Sequence, residues 1–94
     1  MEIANIRDAV SQVAPFYPVI SIDLFGSYAN DGAKDKSDVD LLVYFDEKKA
    51  SLFDLLGLKH DIQEKLNTNV DVVAGPLKKE SYLIIEKKVR IYEA

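Results

Sequence analysis

Two aspartates separated by one residue, Asp38 and Asp40, are the first feature of this sequence with chemical content. In an extended strand, residues two apart project from the same face. Carboxylates held side by side repel, and each raises the other's proton affinity. A divalent cation relieves that repulsion, and a set of oxygen donors suits Mg2+. A lone D-x-D is also a common decoration of exposed strands, so the pair takes its meaning from its surroundings. Upstream, Gly26-Ser27 follows an apolar run and opens a loop. Glycine lets the backbone come close to a phosphate, and Ser27 adds a hydroxyl and an N–H as donors. The amides of a helical turn starting there would add positive potential. Downstream, Asp71 lies between Val70 and Val72. A charge in an apolar strand is costly unless it is paired or bound to metal. Beside the D-x-D strand it would serve as a third metal ligand and as the base for an attacking hydroxyl; an ordinary edge-strand aspartate is the plainer alternative. Phosphate donors at one strand end and carboxylates at the next meet the needs of nucleotidyl transfer, where the protein mainly positions a triphosphate and neutralises charge.

The elements that must position these groups follow from periodicity. Ile3, Ile6, Val10 and Val13 recur at helical spacing and predict an amphipathic helix up to Ala14, ended by Pro15 and Pro18. Val19 to Phe25 reads as a strand with Ile20, Ile22 and Leu24 on one side, and 26–37 as a loop rich in turn formers. Asp38 to Phe45 predicts a second strand, in which Val39, Leu41, Val43 and Phe45 alternate with Asp38, Asp40, Leu42 and Tyr44. Ser51 suits a helix N-cap, and Leu52 to Leu66 follows as a helix that Gly57 weakens somewhat. After the turn 67–69 come a third strand, Val70 to Ala74, a stop at Gly75-Pro76, and a third helix from Leu77 to about Lys88. Val89 to Tyr92 is either a short last strand or the frayed end of that helix. The order α-β-β-α-β-α, with a final β where the last segment pairs, predicts an α/β (α+β) fold: a small mixed sheet of three to four strands packed by three helices.

Composition narrows the function classes. The 94 residues suffice for one domain, 1–94, and not for two. A net charge of -4 argues against direct nucleic-acid binding through a basic surface. With no cysteine and one histidine, thiolate and multi-histidine metal sites are excluded within one chain. No apolar run approaches the ~20 residues that span a bilayer, so no membrane association is expected. No signal-peptide pattern opens the chain, and a cytoplasmic protein is the expectation. A P-loop is excluded too: Gly26 and Gly32 have the wrong spacing, and Ala33 stands where its lysine belongs. His60 reads as a solvated helix residue; the pairs Lys78-Lys79 and Lys87-Lys88 read as a solvated helix face or a contact for RNA or an acidic partner; Asp23 reads as a residue of an exposed face or as a support behind the metal strand. Tyr82, Leu83, Ile84, Ile85 and Tyr92 exceed one helix stripe and suggest a partner surface, so a homo- or hetero-oligomer is open.

The stretch Leu24-Phe25-Gly26-Ser27-Tyr28-Ala29, then Ala33, then Ser37-Asp38-Val39-Asp40-Leu41-Leu42-Val43, resembles the minimal nucleotidyltransferase (MNT) branch of the DNA polymerase beta-like nucleotidyltransferase superfamily. That branch has the pattern L-F-G-S-x-A-R-G-x-A-x-x-x-S-D-x-D-L, and the spacing from Gly-Ser to D-x-D matches without gaps. The resemblance implies transfer of AMP from ATP to a hydroxyl with two Mg2+ ions. Asp38, Asp40 and Asp71 would be catalytic and metal-binding; Gly26, Ser27 and Ser37 would bind the nucleotide. It also implies a partner: a HEPN-domain toxin, adenylylated on tyrosine by the MNT protein acting as antitoxin. Two positions depart from the pattern, Asn30 in place of arginine and Asp31 in place of glycine, with Gly32 one residue later. Either Lys34 or Lys36 replaces the lost cation, or activity is weak. The alternative is therefore a catalytically weak or inactive binding module that neutralises a HEPN partner by complex formation. A stand-alone enzyme for a small molecule is a third reading, but it would need an acceptor site from another subunit.

Overall fold

The computed structural model of the protein describes residues 2–26, 38–75 and 88–94. Helix α1, Ile3–Val13, buries Ile6, Ala9, Val10 and Val13 at the spacing seen in the sequence. Its end is not a clean stop, because Pro15 sits in the first turn of a 3-10 segment, Ala14–Phe16, where a missing N–H costs nothing. Strand β1 spans Val19–Phe25, β2 Val39–Phe45, and helix α2 Leu52–Leu66. At the start of α2, the Ser51 N–H donates to the Asp54 carboxylate at 2.8 Å. Asn67 closes α2 in the left-handed region, at φ 53°, a conformation asparagine tolerates better than most residues. Strand β3 is Val70–Gly75, one residue longer than its pattern suggested, and β4 is Lys88–Glu93. The last segment is thus a strand, and Lys88 opens it rather than closing a helix. The third helix expected over 77–88 otherwise lies outside the described residues.

The four strands form one mixed sheet in the order β3-β2-β1-β4. β1 runs antiparallel to both β2 and β4, while β2 and β3 are parallel and joined by α2. One face carries Ile22, Leu24, Val39, Leu41, Val43, Val70 and Ile91 into a core completed by Ile6, Val10, Leu58 and Ile62 from the two helices. Tyr92 packs partly buried against that core. Ile20 departs from expectation, being 52% exposed. The pairing register shifts between Val19 and Ser21, a bulge that turns Val19 inward and Ile20 out. No helix among the described residues is long and apolar enough to cross a membrane.

Gly57 has a packing role. A Cβ on it would lie 2.8 Å from the Tyr17 hydroxyl and 3.0 Å from the ring. The missing side chain admits the ring against α2, where the Tyr17 hydroxyl donates to Asp61 Oδ2 at 2.5 Å. That hydrogen bond, followed by burial and the charge of Asp61, pushes the Tyr17 pKa up to about 12. A raised folded-state pKa makes the contribution of Tyr17 fully present below its unfolded value of 10.0 and lost as pH rises toward 12. Tyr17→Phe is expected to lower unfolding stability by about 1–2 kcal/mol at pH 8. Its deficit relative to wild type should shrink between pH 10 and 12 in paired urea titrations. A deficit unchanged across that window would refute the hydrogen bond's role.

Candidate functional site

The face of the sheet opposite the described helices carries polar residues that the core face lacks. Register arranges them in rows. Asp71 on β3 pairs with Asp40 on β2, Asp40 with Phe25 on β1, and Phe25 with Lys88 on β4. The next row along the strands reads Val73, Leu42, Asp23 and Arg90. Paired residues point to the same side, so the Asp40 and Asp71 carboxylates are neighbours across the parallel pair. Asp38 lies just before β2 and is exposed, Asp71 is exposed, and Asp40 is half-buried. Burial above all, then the negative charges of Asp71 and Asp38 and a hydrogen bond with Asp71, hold the Asp40 carboxyl above the usual carboxylate range. Each cause disfavours the ionised form, and a bound cation would oppose all of them. The three side chains therefore fit a hard divalent ion by donor type and by mutual repulsion.

Gly26 completes this end of the sheet. Its φ is 76°, and a Cβ on it would stand 2.3 Å from Asp40 Oδ2. Glycine is required there twice over, by backbone conformation and by the carboxylate against it. Ser27 and Ser37, the other residues expected to hold nucleotide, lie outside the described residues, as do Asn30, Asp31, Lys34 and Lys36. The structure thus brings Gly26, Asp40 and Asp71 together and places Asp38 next to them in the chain. Among the described residues, one three-residue set has ligand atoms within 4.8 Å of one another: His60, Asp61 and Glu64 on α2. Asp38, Asp40 and Asp71 are not drawn in that closely. His60 itself is exposed and sits 3.2 Å from Glu64, the solvated helix residue that its position suggested.

Asp23 is where the structure corrects the sequence. It does not decorate an exposed face; it is 1% exposed. Arg90 donates to both of its oxygens, through Nε to Oδ1 and through Nη2 to Oδ2, the latter at 3.5 Å. Lys88 Nζ stands 3.9 Å from Oδ2. Lys88 Nζ also donates to the Tyr44 hydroxyl at 3.4 Å, and both cations lie 6.0 Å from the centre of the Tyr44 ring. Tyr44 in turn lies over Gly75, whose absent Cβ would meet the ring at 2.8 Å. The only sequence signal of this cluster was the lone Asp23 within an apolar strand, the argument already applied to Asp71.

Comparison with known proteins agrees with this architecture. A family model described as a nucleotidyltransferase domain matches residues 3–93. A relative from Methanocaldococcus jannaschii that carries the name of a protein adenylyltransferase is 40% identical over 73 residues, 78% of this chain and 77% of that protein. A solved structure described as a minimal nucleotidyltransferase superimposes with a TM-score of 0.67 at 32% identity, covering 79% of this chain and 78% of the other. A chain from the complex of a tri-AMPylated HEPN toxin of Shewanella oneidensis with its MNT antitoxin gives a TM-score of 0.67 over 100% of this chain and 74% of its own. At 19% identity that last match speaks for the fold alone.

Gly26→Ala tests the crowding at the site directly. The new methyl must push the Asp40 carboxylate aside and the backbone must hold a disfavoured φ. We expect a loss of about 1–2 kcal/mol in urea unfolding with an unchanged m-value. Stability equal to wild type would show that Asp40 does not press on Gly26.

Proposed function

We propose, from the premise that this chain belongs to the minimal branch of the nucleotidyltransferase domain family, that it transfers AMP from ATP to a hydroxyl of a HEPN toxin partner and so acts as its antitoxin. The observation that carries the chemistry is the pairing of Asp40 with Asp71 across β2 and β3, with Gly26 against Asp40. The protein acceptor is supported by the adenylyltransferase name of the archaeal relative, and the HEPN partner by the fold shared with the MNT–toxin complex.

In this reading Asp38, Asp40 and Asp71 hold Mg2+, two ions in all. Bound there, Mg2+ would neutralise charge on the triphosphate and on the departing pyrophosphate. Gly26, with Ser27 and Ser37, binds and orients the nucleotide. The acceptor hydroxyl, a tyrosine of the partner, attacks the α-phosphorus in line. The new O–P bond forms as the bond to the bridging oxygen breaks, and pyrophosphate leaves with that electron pair. Asp71, exposed beside Asp40, takes the hydroxyl proton. The half-buried Asp40 anchors the arrangement, since its position is fixed by Gly26 on one side and Asp71 on the other.

The test is incubation with α-labelled ATP, Mg2+ and a HEPN protein encoded beside this chain. Label should enter the HEPN protein, vanish with EDTA, return with added Mg2+, and fall to background in the Asp38→Ala, Asp40→Ala double variant. Transfer undiminished in that variant would reject the reading. Neutralisation of the toxin retained by an Asp38→Asn, Asp40→Asn variant without any transfer would instead favour a binding module, the reading that Asn30 and Asp31 suggest.

A further inference from the structure

We infer that Lys88 is a phosphate-binding residue of the nucleotide site, supplying from β4 the cation that holds the β- and γ-phosphates. The inference rests on the nucleotidyl-transfer reading and assigns one more residue to it. Three observations carry it. The first is position. Lys88 opens β4 directly opposite Phe25, the residue before Gly26, so it stands at the same end of the sheet as Asp40 and Asp71. Asp40 and Lys88 are two strand spacings apart, about 10 Å. Carboxylates lie at one end of this row, a cation at the other, and Gly26 follows the residue between them. A triphosphate whose α-phosphate sits at the carboxylates and whose chain passes Gly26 runs toward Lys88.

The second observation is charge. Lys88 and Arg90 face one buried carboxylate, Asp23, and Arg90 also meets the exposed Glu93 at 3.4 Å. Arg90 takes up Asp23 through two hydrogen bonds, whereas Lys88 approaches it only at 3.9 Å. Arg90 is thus the main partner of the aspartate, and Lys88 is the weaker one. The third is freedom of movement. The Lys88 side chain is 49% exposed, and its hydrogen bond to Tyr44 is long, at 3.4 Å. An ammonium on a four-carbon stem held this loosely can move to an anion without breaking a strong contact. Tyr44 and Asp23 hold it loosely, and Arg90 is the stronger partner of Asp23.

The ligand chemistry is that of a phosphate chain beyond the α position, which separates this role from general attraction of anions. Isothermal titration of the whole protein with MgATP, pyrophosphate and AMP distinguishes the two. Lys88→Gln is expected to weaken MgATP and pyrophosphate binding about tenfold, the loss of one charge-assisted hydrogen bond, and to leave AMP binding unchanged. Lys88→Arg should restore most of the MgATP affinity. Urea unfolding of both variants, with Arg90 intact, should match wild type within about 0.5 kcal/mol. MgATP affinity unchanged in Lys88→Gln overturns the inference and leaves the transfer reading standing. So does an equal loss for AMP and MgATP. A wild-type protein that binds none of the three ligands overturns both.

Discussion

The parallel pairing of β2 with β3 is the constraint from which the site follows. A parallel pair needs a crossover, and α2 supplies it. The register of that pair sets Asp40 opposite Asp71, 31 residues apart in the chain. A slip of one residue would turn Asp71 into the core and Val70 or Val72 out. Val70 is fully buried and Val72 packs against the core, so the apolar residues flanking Asp71 enforce the register that the carboxylates require. The site is held by hydrophobic burial on the face that does no chemistry. Further ties reinforce the same pairing: the Val39 N–H donates to the Asn69 carbonyl at 3.0 Å, and the Val70 N–H to Gln63 Oε1 at 3.0 Å. The second of these fastens the end of α2 to the first residue of β3.

Much of this was legible because the decisive patterns are local. The alternation in 38–45 names both faces of β2 without reference to any other strand. Likewise, a charge flanked by valines announces Asp71. What escaped was non-local. Asp23 has the same signature as Asp71, a single carboxylate in an apolar strand, yet it resolves differently because its partner Arg90 is 67 residues away. The sequence reports that such a charge must be compensated. It does not report whether a metal or a cation compensates it. Ile20 escaped for a different reason: a bulge removes one residue from the period of two, and nothing in Val19-Ile20-Ser21 marks where it falls. Gly57 was legible as an anomaly in a helix, but its cause lies in Tyr17, forty residues earlier.

The two ways of handling charge on one sheet face also explain how that face can be strongly charged and still fold. Asp23 is closed off by Arg90 within the protein, so its charge is balanced before any ligand arrives. Asp40 and Asp71 are not balanced by any described cation; burial first, then the charges of Asp71 and Asp38, raise the Asp40 proton affinity. An internal salt bridge at Asp40 would stabilise the sheet and occupy the position proposed for the cation. A site that binds a metal has to leave its carboxylates underneutralised, and the cost falls on a protein whose core is small.

Placing that cost matters in a chain of 94 residues, which has little hydrophobic surplus. The repulsion sits at one end of β2, where the strand begins and Asp38 and Asp71 are open to water, which screens their charges. Asp40 alone is half-buried there, and that burial raises its proton affinity. The middle of the sheet, by contrast, holds the closed Asp23–Arg90 pair over Leu42, which is 1% exposed. Unbalanced charge at the wet rim and balanced charge in the dry centre is the distribution that lets one sheet face serve both folding and chemistry. Exchanging the two would place an unpaired carboxylate in the centre, where several kcal/mol of desolvation has no solvent to offset it.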